Sequence, residues 1–204
     1  METINKGHIQ DDILASGVTY ASYRNHIDDL LSENKTTGDD HSEDMIAYTR
    51  MNVQRMKRID KTAVIASELL AQLSHLKQPQ TWLVISEAWC GDAAQNLPYL
   101  HQMAEINQAI QLKIVLRDEN LELMDRFLTH GGRSIPKLIV VDSSSKEVLA
   151  DWGPRPAAAQ TLYNDLRAQQ LPYAEFSTAL HKWYADNKGH DLQAELLALL
   201  QKIR

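Results

Sequence analysis

Cys90 is the one cysteine in the chain, and its neighbours decide what chemistry a lone thiol could do. It lies in Ser86-Glu87-Ala88-Trp89-Cys90-Gly91-Asp92-Ala93, after the apolar run Trp82-Leu83-Val84-Ile85 and before a helical pattern. This order predicts a strand that delivers a thiol to the first turn of a helix. Backbone N–H groups and the positive helix end favour the thiolate there by roughly 0.3–1 kcal/mol. Asp92 and Glu87 are like charges nearby and oppose it. The backbone donors point at the sulfur, so a modestly lowered thiol pKa is expected. Asp92 reads most simply as a first-turn residue that satisfies backbone donors. His130, before Gly131-Gly132, reads as a cationic cap on a helix end. The remaining histidines show no paired ligand spacing, so no metal site is expected.

A single cysteine permits no internal disulfide, which fits a reducing cytoplasm. No run approaches the ~20 apolar residues that a membrane span needs, and no membrane partner is expected. Met1 to Gln10 is polar, reads as a mobile end, and has no apolar core of the kind a secretory signal carries. The net charge is −6 and unevenly spread, with ten acids against three bases from Met1 to Asp44. Arg50 to Lys61 then holds five bases against Asp60. An acidic chain without aromatic platforms does not read as a nucleic-acid binder, so the basic segment is taken as a solvated helix face.

The elements that must position Cys90 follow from periodicity. Apolar residues from Ile13 to Leu31 predict one or two helices broken near Gly17, followed by a loop over 33–42. Steps of three and four predict a helix from Glu43 to about Lys57 and another from Ile59 to Leu76, stopped by Pro79. Trp82 to Ile85 is a short buried strand. A helix is expected from Gly91 to about Ile110, kinked at Pro98, which has no N–H to donate. Leu112–Leu116, Lys137–Val141 and Glu147–Trp152 read as strands, the last two joined by a hairpin turn at 142–146. Helices are expected over 121–129, 157–169, 173–186 and 191–203.

This β-α-β-α-β-β-α order, with Trp89-Cys90-Gly91 at its first strand-to-helix turn, resembles the thioredoxin family. Pro98 falls where that family kinks its active-site helix, and Arg133-Ser134-Ile135-Pro136 resembles the segment that holds its cis-proline. Gly153, after the last strand, also matches the family's habit. Trp-Cys-Gly-Asp flanked by helices is similar to a bacterial thioredoxin-like group of poorly defined function. The resemblance implies an α/β, thioredoxin-like three-layer fold with a central four-stranded mixed sheet. The core would span 80–170, with an N-terminal helical extension at 1–79 and a C-terminal one at 171–204 packing on it as one compact unit. It further implies Cys90 as the catalytic thiol, with Trp89, Gly91, Asp92, Ile135 and Pro136 lining a groove for a peptide or small thiol.

The departures narrow the chemistry. Ala93 stands where the family has its second cysteine, Asp92 where it has proline, and Val84 where many members bury an acid. A dithiol reductase attacks with one thiolate and releases the mixed disulfide with the other. Without the second, Cys90 needs an external thiol, with glutathione or another low-molecular-weight thiol as co-substrate and no resident cofactor. The partner would be a protein or small-molecule thiol or disulfide. The alternative is a thioredoxin-fold binding or scaffold protein without turnover. Reduction of insulin with dithiothreitol should accordingly be weak or absent, and a rate like that of a dithiol thioredoxin would overturn this.

Overall fold

Every residue of strand β1 (Gln80–Ser86) is buried, as a strand paired on both edges and covered on both faces must be. The computed structural model describes residues 7–203 and sets β1 beside three other strands, β2 (Ile110–Leu116), β3 (Lys137–Asp142) and β4 (Val148–Trp152). The sheet order is β2-β1-β3-β4. β1 runs parallel to β2 and antiparallel to β3, and β3 runs antiparallel to β4 with a register shift between Val140 and Val141. This is the mixed four-stranded α/β sheet expected from the sequence.

Helices α1 (Asp11–Ser16), α2 (Tyr20–Ser32), α3 (Glu43–Thr62) and α4 (Ser67–Ser74) precede the sheet. Within it come α5 (Gly91–Ala104) and α6 (Leu121–Asp125), and after it α7 (Ala157–Ala168), α8 (Tyr173–Asn187) and α9 (His190–Leu200). Both helical extensions are therefore present. α2 turns Tyr20, Tyr23 and Ile27 inward at steps of three and four, and α3 does the same with Val53, Met56 and Ile59. α5 packs between α3 and the sheet and is buried almost throughout, Pro98 included. α4 pairs with α9, and α7 with α8.

Several boundaries differ from the sequence reading, and in four stretches the structure shows where. α3 continues to Thr62 and the chain breaks over 63–66, where Gln193 of α9 substitutes for helical partners. Its side chain accepts from Ala66 N at 2.7 Å and donates to Val64 O at 3.1 Å. α5 stops at Ala104, well short of Ile110, and Asn107 in the following turn donates to Leu73 O and Leu76 O at 2.8 and 2.7 Å. α6 ends at Asp125, so His130 lies beyond it, at φ 50°, and caps nothing there. Within the expected mobile end, 1–6 lie outside the described residues, but Ile9 is buried and its N–H bonds Lys146 O at 2.9 Å. The stretch from Gly7 is thereby tied to the β3–β4 hairpin.

Gly153 follows β4 at φ 120°, a region L side chains avoid. A Cβ there would lie 2.3 Å from the carbonyl oxygen of Pro136. Gly153→Ala should lower the urea-unfolding free energy by about 2 kcal/mol or more, and an unchanged midpoint would contradict this packing.

Candidate functional site

Cys90 is the N-cap residue of α5, which places its sulfur over the first turn. Sγ accepts from Ala93 N at 3.5 Å, and the thiol donates to Ile135 O at 3.2 Å. The Ile135–Pro136 and Gly153–Pro154 peptide bonds are both cis. Ile135 and Pro136 are buried beside the thiol. Trp89 is half-buried, with the Arg117 guanidinium 4.8 Å above its ring. Five of the six residues singled out from sequence thus gather at one corner, and the sixth, Asp92, faces the support beneath it.

The Asp92 carboxylate does more than satisfy its own helix. Its Oδ2 takes Nη2 and Nε of Arg155 at 2.5 and 3.1 Å, and its Oδ1 takes the Tyr184 hydroxyl at 2.6 Å. Asn96 donates to Asp92 O at 2.8 Å and to the Tyr184 hydroxyl at 3.4 Å. Arg155 is held in turn by Gln160 at 2.9 Å and lies 4.0 Å over the Tyr163 ring. Both charged side chains are only 10% exposed. A second contact of α8 reaches the same turn, where the His181 ring pairs with Gln95 at 3.1 Å. A Cβ on Gly91 would sit 2.8 Å from that ring, so glycine is what allows α8 to lie so close. The C-terminal extension therefore covers the corner, and Cys90 keeps 8% exposure.

The N-terminal extension grips the turn from the opposite side. Thr37 accepts from Ala88 N at 2.9 Å, and Asn52 donates to Ala88 O at 3.0 Å while Arg55 holds Asn52 at 2.7 Å. Glu87 is 1% exposed, with one oxygen on Asp118 N at 3.0 Å. Burial raises its pKa, partly offset by Thr37 and the Asp118 N–H. Thr37, Asn52, Arg155, His181 and Tyr184 were not signalled by the sequence. Each is an ordinary polar residue in a helix or loop, and only the fold brings it to the turn around Cys90.

These surroundings make Cys90 a neutral thiol. Burial, then the negative charge of Asp92, push its pKa up to about 12. The Ala93 N–H and Arg155 pull the other way and lose, because Arg155 is already paired with Asp92. The direction is opposite to that expected from the helix start alone: desolvation outweighs the helix end. Since the folded pKa is raised, the fold's preference for the neutral thiol stabilises it fully below ~8.5 and is lost as pH rises toward about 12. His181 shifts the other way, lowered to about 4 by burial and then by Arg55. Its contribution is present above ~6.5 and is lost as pH falls through about 4.

A family model described as Thioredoxin matches residues 38–167, which takes in α3 and α4 as well as the sheet. Two solved structures share the fold. A protein of unknown function from Pseudomonas aeruginosa superposes with a TM-score of 0.59 at 19% identity, over 93% of this chain and 95% of that one. An HIV epitope-scaffold does so with a TM-score of 0.58 at 17% identity, over 93% and 96%. No curated protein matches the sequence. Among the described residues, no helix is long and apolar enough to cross a membrane, and no three His, Cys, Asp or Glu side chains gather as metal ligands.

Alkylation of Cys90 by iodoacetamide should rise with pH to a midpoint well above the ~8.5 of an unperturbed thiol. Asp92→Asn removes the opposing charge and leaves Arg155 unpaired, so its midpoint should fall below that of the wild type. A wild-type midpoint at or below ~8.5, or no downward shift in Asp92→Asn, would contradict this electrostatic account.

Proposed function

We propose, from the premise that the chain belongs to the thioredoxin family, that Cys90 carries out monothiol thiol–disulfide exchange completed by an external thiol. The observation that supports this most directly is the position of Sγ, 3.2 Å from Ile135 O at the backbone edge before Pro136. An extended disulfide-bearing partner could add to that edge as a strand, with its sulfur directed at Cys90. Trp89, Gly91 and Pro136 then form the walls of the groove. Asp92 acts through charge, holding the resting thiol neutral.

The exchange has two steps. After losing its proton to solvent, the Cys90 sulfur attacks one sulfur of the partner disulfide, forming the mixed disulfide and releasing the other sulfur as a thiolate. A small thiol such as glutathione, as its thiolate, then attacks the sulfur joined to Cys90 from the partner side. That restores Cys90 and leaves the partner disulfide-linked to the small thiol, which a second small thiol reduces. Ala93 has no sulfur to perform this release internally. A cytoplasmic setting, proposed from the single cysteine, would supply the external thiol. Because Cys90 is 8% exposed, the corner must open before a partner can reach it, so the resting protein reacts slowly.

The second reading is a thioredoxin-fold binding or scaffold protein, and the raised pKa and covered thiol favour it. The two separate on turnover. With glutathione disulfide, wild type should acquire one glutathione adduct by intact mass, lose it on adding reduced thiol, and show no adduct as Cys90→Ser. Ala93→Cys should gain insulin reduction at least several-fold over wild type, because it supplies the missing internal release. Absence of any adduct in wild type, with no gain in Ala93→Cys, would leave only the binding reading.

A further inference from the structure

Helices α3, α5, α8 and α9 enclose a cleft of about 480 Å³. The volume lies within the range of small-molecule sites. Its buried lining is mixed: Ile59 at 4% and Leu192 at 1% exposure are apolar, with half-buried Ala185 a third apolar lining residue, while Asn96 at 1% and Gln193 at 4% are polar. Its charged lining is of one sign. Arg58, Lys188 and His190 are the basic residues there, and no Asp or Glu lines it, in a chain whose net charge is −6. Among the described residues, none of the three forms an ion pair. α9 also begins at this cleft, with Gly189 as an N-cap lacking a side-chain bond, so its positive end adds to the same potential. Cys90 is not among the lining residues.

We infer that this cleft binds an amphipathic organic anion, its apolar body against Ile59, Ala185 and Leu192 and its carboxylate or sulfonate at Arg58 and Lys188. Apolar walls alone would accept any hydrocarbon, but the one-signed, ion-pair-free cations favour a ligand that brings a negative charge. The site takes no atom of Cys90, although Asn96 and Tyr184, which bond Asp92, line it.

The test is a titration of the full chain with anilinonaphthalene sulfonate, followed by fluorescence, with decanoate and decanol as competitors. Expected are one saturable site, displacement by decanoate but not by decanol, and unchanged binding in Cys90→Ser. Arg58→Gln, at an exposed position, should weaken binding by about tenfold, the effect of losing one charge-assisted contact. Ala185→Phe, which fills the cleft, should abolish it. The inference is overturned if no saturable binding occurs, if decanol competes as well as decanoate, or if Arg58→Gln and Ala185→Phe both bind like wild type.

Discussion

The buried pair between Asp92 and Arg155, joined by the Tyr184 hydroxyl, is the constraint on which the thiol corner depends. Taking either charge out of water without the other would cost about 3–5 kcal/mol, so neither can be placed alone. Asp92 belongs to the first turn of α5, Arg155 to the loop after the Gly153–Pro154 bond, and Tyr184 to α8. One interaction therefore fixes three segments that are distant in sequence. The same pair adds to the restraint that burial places on the thiol, because Asp92 pairs with the cation that would otherwise stabilise a thiolate and adds a like charge of its own.

What could be read beforehand was what local chemistry determines. The strands announced themselves as short apolar runs such as Leu112 to Leu116, and the break near Gly17 separates α1 from α2 as the composition suggested. The thiol's place at a helix start followed from Trp89-Cys90-Gly91 and the pattern after it. What could not be read were long-range substitutions for local bonds. The chain breaks at 63–66 without proline or glycine because Gln193, made over a hundred residues later, satisfies its backbone. The pKa of Cys90 went the same way. The helix dipole is a local property visible in sequence, whereas burial under α8 and the pairing of Asp92 with Arg155 are not.

The two extensions, of which the family model takes in α3 and α4 but not α8 or α9, complete the site from opposite sides. Thr37 and Asn52 hold both the N–H and the C=O of Ala88, fixing the turn that carries Trp89 and Cys90. His181 and Tyr184 close over Gly91 and Asp92. The absence of a side chain at Gly91, a position the resemblance assigns to the partner groove, here admits a ring from the protein's own α8. The space beside Gly91 is thus taken by the His181 ring.

The order of these pieces along the chain has a consequence for the protein's birth. Cys90, Ile135 and Thr37 all leave the ribosome before His181 and Tyr184 exist. At roughly 5–20 residues per second, the interval between Cys90 and Tyr184 lasts on the order of ten seconds. For that time Asp92 has no Tyr184 to bond, so the thiol corner is completed last, by a helix made after every strand of the sheet.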